Sequence, residues 1–353
     1  MIVMTHTIDE ARLEAFLGRA VADLAAAESS VASYIGDRLG LYRAMADGQW
    51  RTATELAAAT DTNERLVLEW LRNQTAGEYV LHDNGRFHLP AEHAAALADP
   101  SSPAFLGGVF QIVAAMWADV EKAEAAFKSD GAIDWGAHDE RLYEGVDRLF
   151  APIYREYLTS EWIPTLDGVA ETLASGGKIA DVGCGFGSST LVLAESYPAA
   201  TVIGYDYHAG SIEEARRRAT DADSGDNLRF EIADASDLPA GDFDLVCFFD
   251  ALHDMGDPLA AAATARRALR DGGVLMAVEP KASDDLDENI TPANRLFYAG
   301  SIFLCTPSAL AQGGEALGAG AGPTAMVEIL KRAGFESVRV ATETPFNYVF
   351  EAR

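Results

Sequence analysis

Residues 178–189 read Lys-Ile-Ala-Asp-Val-Gly-Cys-Gly-Phe-Gly-Ser-Ser, and this stretch indicates the class of fold. The apolar segment Lys178–Val182 is predicted to be a strand, and three glycines follow it in alternate positions: Gly183, Gly185 and Gly187. Glycine lets a backbone turn sharply and approach a ligand where a Cβ atom would collide. The stretch lacks the Gly-Lys-Ser or Gly-Lys-Thr of a phosphate-binding Walker loop. The carboxylate of Asp181 beside the turn suits a cationic ligand better than a pyrophosphate.

Strands and helices alternate from this turn to the end of the chain. The predicted strands are Lys178–Val182, Thr201–Tyr205, Leu228–Ile232, Phe243–Phe249 and Gly273–Glu279, and the predicted helices cover residues 188–196, 210–220, 257–269 and 323–333. Such alternation is typical of an α/β fold with a doubly wound parallel sheet and right-handed crossovers. The last two strands, Ser337–Thr342 and Asn347–Ala352, are predicted to form an antiparallel pair.

Acidic residues follow two further predicted strands. Asp206 ends the second strand, and Asp234 follows the third. An acid at the first position can accept hydrogen bonds from the hydroxyls of a ribose, and one at the second from an adenine amino group. Each acid by itself is more often a helix cap or a solvated loop residue. Together with Asp181 they favour a nucleoside site, because ligands of open α/β sheets bind at the carboxyl ends of the strands.

The first 100 residues predict helices and one hairpin. Helices are predicted over residues 1–30, 31–46, 56–59 and 63–72. Thr52 and Glu55 form a capping box before the third helix, and Asp61 is predicted to cap the fourth. Asn84-Gly85 suits the tight turn of a hairpin. Three helices followed by a two-stranded wing are typical of a winged helix.

The chain therefore divides into three predicted parts. They are a winged-helix domain at 1–100, a helical linker at 101–175 that contributes to the substrate pocket, and an α/β domain at 176–353. The winged helix holds 15 acidic residues against 8 arginines and no lysine. Phosphate neutralisation dominates affinity for DNA, so we expect this module to mediate dimerisation rather than to bind nucleic acid.

Composition restricts the class of protein further. The chain has 353 residues, of which 49% are apolar, and a formal net charge of −28. No apolar run is long enough to span a bilayer, and no secretory signal is visible at the N-terminus. The three cysteines are far apart and form no Cys-x-x-Cys, which disfavours disulfides and zinc sites. We expect a cytoplasmic protein with neither a metal nor a membrane partner.

These features resemble the S-adenosylmethionine-dependent class I methyltransferases. The resemblance spans residues 178–353 and rests on the glycine motif, the two strand-end acids, Phe243-Asp-Leu-Val246 and the terminal hairpin. It implies a seven-stranded, Rossmann-like sheet with an antiparallel C-terminal hairpin, and S-adenosylmethionine as the cofactor. With its winged helix, the whole chain is similar to two-domain small-molecule methyltransferases, whose N-terminal module mostly dimerises. A homodimer is implied.

The resemblance also implies the cofactor contacts. The predicted cofactor-binding residues are Asp181, Gly183, Cys184, Gly185, Gly187, Asp206, Tyr207, Asp234, Ala235 and Phe249. The glycines would underlie the methionine part, with Asp181 near its amino group. Asp206 would hold the ribose and Asp234 the adenine. Tyr207 and Ala235 would flank the ring.

Leu252-His253-Asp254, after the fourth strand, resembles the His-Asp pair of plant-type and bacterial polyketide-type O-methyltransferases, although Met255 stands where those enzymes usually carry tryptophan. There the histidine deprotonates the acceptor hydroxyl, a task that its near-neutral pKa suits. His253 is accordingly the predicted catalytic residue. A structural role, a role in substrate binding, and transfer by alignment without any base remain open.

The expected function is methyl transfer to a small, apolar or aromatic acceptor, most simply at oxygen. Tyr154 in the linker and Phe297 in the insertion Leu296–Leu304 are the predicted substrate residues, and aromatic linings favour planar or lipophilic ligands. Glu144 and Asp147 leave a polar or cationic acceptor open. The alternative function is a winged-helix transcriptional regulator that responds to S-adenosylmethionine without methyl transfer.

Overall fold

The computed structural model describes residues 8–314 and 316–353. It contains two compact units, one up to Ala114 and one from Ala115 onward. The segment that was predicted as a linker, residues 101–175, is thus divided between the units rather than separate from both. Within the described residues, no helix has both the length and the apolar character needed to cross a membrane.

The first unit is mainly helical. Its elements are α1 (Glu10–Arg38), α2 (Leu41–Met45), α3 (Ala53–Thr60), α4 (Glu64–Ala76), β1 (Leu81–Asp83), β2 (Arg86–His88), α5 (Ala91–Leu97) and most of α6 (Gly107–Ala118). The predicted winged-helix arrangement is present, with β1 and β2 paired antiparallel. Asn84 and Gly85 both have positive φ, 45° and 77°, as a tight primed turn requires.

Two local predictions for this unit were wrong. The helices predicted over residues 1–30 and 31–46 are one continuous helix to Arg38 followed by the short α2, and residues 1–7 lie outside the described part. Asp61 does not cap α4. It ends α3 in a left-handed conformation, and the Asn63 side chain accepts the hydrogen bond from the Leu66 amide at 3.1 Å. The capping box at Thr52 and Glu55 is formed in both directions.

The core of this unit forms where α1 meets α4. The Trp70 indole lies against Gly36, where a Cβ atom would come within 2.5 Å of the ring. Its Nε1 donates to the Ala32 carbonyl at 2.8 Å. The α1 segment before these contacts has apolar side chains that remain exposed, among them Leu17 at 50% and Leu24 at 65%.

The second unit is an α/β domain. Its remaining helices are α7 (Val120–Phe127), α8 (Arg141–Ile153), α9 (Val169–Ala174), α10 (Ser188–Ser196), α11 (Ala209–Asp221), α12 (Pro258–Ala268), α13 (Pro292–Gly300), α14 (Thr306–Ala311) and α15 (Gly322–Arg332). Its strands are β3 (Lys178–Val182), β4 (Thr201–Asp206), β5 (Leu228–Ile232), β6 (Phe243–Phe249), β7 (Leu269–Pro280), β8 (Val338–Glu343) and β9 (Asn347–Ala352). Two π-helical segments, Tyr154–Trp162 and Ser301–Cys305, follow α8 and α13.

The seven strands form one sheet in the order β5-β4-β3-β6-β7-β9-β8. The first five pair in parallel, and β9 runs antiparallel to both β7 and β8. This confirms the predicted doubly wound sheet with an antiparallel C-terminal hairpin. The chain moves outward from β3 to β5 and then returns to place β6 on the other side of β3. Ligands of such sheets bind at this reversal of strand order.

Helices cover both faces of the sheet. On one face Ile179 and Leu245 pack with Trp162 and Leu193. On the other face lie Phe248, Leu330 and further apolar side chains of α12 and α15. Every residue of β6 is buried, as expected for a central parallel strand. Rigid packing on both faces holds the carboxyl ends of the strands at one edge.

The π-helical segment Tyr154–Trp162, whose turns are wider than those of an α-helix, begins beside this edge. Pro152 stands inside α8 two residues before the segment, and proline has no N–H for the helical ladder. Wide turns of this kind occur often at functional sites. Here the irregular segment begins at Tyr154, one of the predicted substrate residues.

Candidate active site

The glycine turn, residues 183–187, has the conformation that its sequence predicts. φ is 75°, 52° and 81° at Gly183, Gly185 and Gly187, the left-handed region that favours glycine. The amides of Gly183 and Cys184 both donate to the Tyr205 carbonyl, at 2.8 and 3.0 Å, which ties the turn to β4. A Cβ atom at Gly185 would meet no atom within 4 Å. This side of the turn is open to a ligand.

Asp206 is anchored to the same turn. Its Oδ2 accepts from the Gly185 amide at 2.9 Å, and its Oδ1 accepts from the His208 amide at 2.8 Å. Burial nevertheless raises the pKa of Asp206, against the effect of both hydrogen bonds. Each carboxylate oxygen keeps a lone pair for a further donor, such as a ribose hydroxyl.

Asp181 lies buried beneath the turn. Its Oδ2 accepts from the hydroxyls of Ser189 and Thr190 at 2.6 and 2.7 Å, while its Oδ1 has no hydrogen-bond partner. Burial raises the pKa of Asp181 to about 6 in spite of these two hydroxyls. A buried carboxylate oxygen without a partner is costly, and a nearby cation would relieve that cost. The site therefore fits a positively charged ligand.

A cavity of about 350 Å³ lies along the carboxyl edge of the sheet. The predicted site residues in its wall are Tyr154, Gly183, Cys184, Gly185, Asp206, Tyr207, Asp234, Ala235 and Phe249. Asp181 and Gly187 lie behind this wall. A Cβ atom at Gly187 would come within 2.6 Å of the Phe230 ring, so this glycine is required by packing inside the domain. The cavity brings the strand-end acids and aromatic side chains into one space.

Aromatic residues from the segment between α7 and α9 close the cavity. Four of them line it: Trp135, Tyr143, Phe150 and the predicted substrate residue Tyr154. The Tyr154 ring packs between Phe150 and Phe249, with centroid distances of 5.9 and 5.3 Å. The first pair is stacked and the second is tilted, and together the three rings form an apolar part of the cavity wall.

Asp147 also lines the cavity, but its charge is paired. It accepts from the Ser188 hydroxyl at 2.5 Å and from Arg218 Nη1 at 2.6 Å. The Arg218 guanidinium lies 4.8 Å from the centre of the Phe186 ring. These contacts pin α11 to α8 at the rim, and they leave Asp147 with less attraction for a cationic acceptor.

His253 is buried and lies outside the wall of this cavity. Its Nδ1 is 2.6 Å from Glu279 Oε2, and its Nε2 is 3.3 Å from Cys305 Sγ. Burial opposes protonation, but the adjoining Cys305 and Glu279 side chains outweigh it and hold the pKa of His253 well above its ordinary value. Both ring nitrogens thus contact protein atoms, and the imidazole does not open to this cavity. Its assignment as the catalytic residue stays a prediction.

Phe297 lies half-buried on α13 and is not part of the wall of this cavity. Its neighbours Tyr298, Ser301 and Ile302 instead line a second, mostly apolar cavity of about 310 Å³. Helix α14 separates the two spaces, since Ser308 faces the first cavity and other residues of the helix face the second. The structure therefore does not bring Phe297 to the site.

Asp250 is a cavity residue to which the motif comparison gave no role. It follows β6 directly, has a φ of 48°, and accepts two hydrogen bonds from Asn347 Nδ2, at 2.8 and 3.1 Å. Asp250 could have been identified from the sequence in the same way as Asp206 and Asp234, because it too lies at the end of a predicted strand.

Two family models match the chain. Residues 173–332 match the family described as methyltransferase domain, and residues 27–99 match the Rv2258c-like winged helix-turn-helix domain. The two matched regions fall on the two sides of the boundary at Ala114.

Curated relatives match part of the chain. The 27-O-demethylrifamycin SV methyltransferase of Amycolatopsis mediterranei is 37% identical over 105 residues, which are 29% of this chain and 38% of that protein. The trans-aconitate 2-methyltransferase of Deinococcus radiodurans is 35% identical over 116 residues, 33% of this chain and 43% of that protein. The chain thus spans about two fifths of the length of these relatives.

Solved structures match nearly the whole chain. The mitomycin 7-O-methyltransferase MmcR superposes with a TM-score of 0.70 at 18% identity, covering 98% of this chain and 100% of that one. PigF with SAH superposes with a TM-score of 0.68 at 18% identity, covering 98% and 99%. At these identities the likeness concerns the fold. A methyltransferase-domain match at 173–332 thus follows a winged helix-turn-helix match at 27–99, on a fold that is shared with known methyltransferases.

Proposed function

We propose that this chain is an S-adenosylmethionine-dependent methyltransferase that acts on an oxygen atom of a small, apolar or aromatic acceptor. The observation that carries the proposal is a single cavity whose wall combines the glycine turn, the acids Asp206 and Asp234, and aromatic rings packed on one another. The acids suit a cationic cofactor, and the rings suit a planar or lipophilic acceptor. Several similar proteins are O-methyltransferases by name, which favours oxygen as the methylated atom.

The residues around the turn fit the cofactor. The open side of Gly185 leaves room for its methionine part, and the unpartnered Oδ1 of Asp181 is a buried negative group close by. We assign the ribose hydroxyls to Asp206 and the adenine amino group to Asp234. Tyr207 and Ala235 then flank the adenine ring, since both belong to the same cavity wall.

When bound, S-adenosylmethionine supplies a methyl group on a sulfonium that leaves as a neutral thioether. The chain aligns the cofactor with the acceptor and encloses both. The acids fix the nucleoside, Phe249 lies beside the cofactor, and the rings of Phe150 and Tyr154 hold a planar acceptor and exclude water. Alignment of the reactants for an in-line displacement can supply a large part of the acceleration.

The test is label transfer from methyl-labelled S-adenosylmethionine into a metabolite- and lipid-rich cell extract, followed by fractionation. We expect label in an extractable small molecule with the wild-type protein, and much less with Asp206→Ala at a subsaturating cofactor concentration. Cofactor binding without any label in small molecules would contradict the proposal.

We also propose that the protein is a homodimer held in part by α1. An exposed apolar row runs along this helix with a seven-residue repeat: Leu17, Leu24 and Val31, with Leu13 and Val21 beside it. Exposed apolar rows of this kind mark interaction surfaces, and a seven-residue repeat suits helix pairing.

This assembly is tested by light scattering during size-exclusion chromatography. The double variant Leu17→Glu with Leu24→Glu should be monomeric, because it places charges within the row. Ala22→Glu with Ala26→Glu introduces the same charges on the opposite, exposed face of α1 and should remain dimeric. Equal behaviour of the two double variants would rule out α1 as the interface.

A DNA-binding regulator is the weaker alternative. On α4, Arg65 and Arg72 both pair with Glu69, and on the hairpin Arg86 pairs with Glu55. Arginines already paired within the chain contribute little to phosphate neutralisation. A mobility-shift assay with random duplex DNA should show no binding at physiological salt.

We further place the protein in the cytoplasm, because its three cysteines are free thiols, as is usual in a reducing compartment.

A further inference from the structure

Asp250 lies on the half of the site where only Phe249 is assigned to the cofactor. The other residues assigned to the cofactor belong to β3, β4 and β5 or to the turns after them, on one side of the reversal of strand order. Asp250 follows β6, on the other side, and its amide donates to the Val278 carbonyl of β7 at 2.7 Å. Its carboxylate is hydrogen-bonded to Asn347 at the start of β9, the strand beyond β7. The carboxylate is therefore held towards the half of the edge that is free for an acceptor.

The backbone at Asp250 is held in an unfavourable conformation. A φ of 48° is left-handed, and residues other than glycine adopt it at an energetic cost. Such conformations persist where surrounding contacts enforce them, and they cluster at functional sites. The two contacts from Asn347 Nδ2 and the backbone bond to Val278 enforce this one. The result is a carboxylate with a fixed direction at the wall of the cavity.

The surroundings make Asp250 an unusually strong base for a carboxylate. Burial, and next the charge of Glu279, raise its pKa to about 8, while His253 and Asn347 act in the opposite direction. Asp254 on the same loop adds a smaller rise, and burial together with the charge of Asp250 raises the pKa of Tyr154 in the aromatic wall. A base is most effective when its pKa lies near the working pH. The ordinary carboxyl pKa near 4 would be too low for this task.

We propose that Asp250 is the general base of the methyl transfer, with Asn347 as its positioning residue. This inference rests on the proposed function. The acceptor O–H bond breaks and its proton goes to the Asp250 carboxylate, while a lone pair of that oxygen forms the new bond to the methyl carbon. The electrons of the broken sulfur–carbon bond stay on the sulfur of S-adenosylmethionine, which becomes a neutral thioether.

The main test is Asp250→Asn, which keeps the size of the side chain and removes the base. With the extract fraction that accepts label from the wild type, we expect a fall in initial rate of about 10²–10⁴-fold. Calorimetry should show unchanged affinity for S-adenosylmethionine. The wild-type rate should rise with pH around the pKa of the base, and the variant should lack this rise. The matched control is Asp271→Asn, an exposed residue near the start of β7 and far from the carboxyl edge of the sheet, which should behave as wild type.

Two further measurements separate a base from a merely structural residue. Asn347→Ala removes hydrogen bonds that lower the pKa of Asp250, so the rising limb of its pH–rate profile should move to higher pH. Carbon-13 NMR of carboxyl-labelled protein should show a carboxyl that titrates well above the ordinary range in the wild type and is missing in Asp250→Asn.

The outcomes distinguish this inference from the function on which it rests. No label transfer by the wild type would overturn both. Label transfer that Asp250→Asn leaves intact across the pH range would overturn the inference alone. Loss of cofactor affinity in Asp250→Asn, sufficient to explain its lower rate, would also overturn the inference, because it would place Asp250 in the cofactor half.

Discussion

The two halves of the carboxyl edge of the sheet hold their acidic residues in different ways. In the cofactor half, Asp206 and Asp234 accept from backbone amides of their own loops, two residues further along the chain. In the acceptor half, Asp250 is bonded to Asn347, 97 residues away, and Glu279 to His253, 26 residues away. The first half is held by backbone amides, two of them local and one, that of Gly185, 21 residues from Asp206, whereas the second is held by long-range contacts between side chains. The acceptor half should therefore be more sensitive to substitutions at distant positions.

The largest expected effect concerns stability in the acceptor half. Glu279→Ala leaves the buried imidazole of His253 without its carboxylate, and removal of one partner of a buried ion pair costs about 3–5 kcal/mol. Urea unfolding should show this loss. The exposed control Glu336→Ala should lie within about 0.5 kcal/mol of wild type. The double variant His253→Ala with Glu279→Ala should lose less than the sum of its parts. Simple additivity would show that the pair is not coupled.

The next effect concerns Asp181 and is a dependence of stability on pH. Its folded pKa of about 6 lies above the ordinary 3.8. Between these values the unfolded chain releases a proton that the folded protein retains, so the free energy of unfolding falls as pH rises. The loss amounts to about 3 kcal/mol at most and is complete above the folded pKa.

Asp181→Asn lacks this titration, so its free energy of unfolding should fall less steeply than that of the wild type between about pH 4 and 6. Urea unfolding of the cofactor-free protein at several pH values measures the difference. Asp271→Asn serves again as the control and should follow the wild-type curve. Parallel curves for the wild type and Asp181→Asn would mean that Asp181 does not carry the buried charge.

The smallest effect concerns cofactor affinity. Asp206→Ala should weaken the binding of S-adenosylmethionine by about 1–3 kcal/mol, the usual contribution of hydrogen bonds to a charged group. Calorimetry measures it directly. Combined with the unchanged affinity expected of Asp250→Asn, this result would assign the two halves of the edge to two ligands. Unchanged affinity of Asp206→Ala for S-adenosylmethionine would contradict the assignment of Asp206 to the ribose hydroxyls.

Much of the cofactor half could be predicted from the sequence. A glycine turn, a strand and an acid at the strand end are local patterns, and backbone geometry forces them to adjacent places on a parallel sheet. Gly183, Gly185 and Asp206 lie where the pattern indicated. Gly187 was less predictable, because the Phe230 ring that excludes a Cβ atom there comes from β5, a distant part of the chain.

The acceptor half was predicted less well for the same physical reason. The motif resemblance directed attention to His253, but Glu279 and Cys305 occupy its two nitrogens from 26 and 52 residues away. Phe297 was chosen for its aromatic character, but the direction of a side chain on α13 depends on what packs against that helix.

The sequence by itself determined the order of strands and helices, the glycine turn, the strand-end acids and the capped helices of the winged helix, because each depends on residues close together in the chain. The tertiary structure alone decided that Asp250 lies open at the cavity and His253 does not, although only three positions separate them. The burial, protonation and direction of a side chain depend on neighbours that folding brings together. Those neighbours can be far away along the chain, so a local sequence pattern does not reveal them.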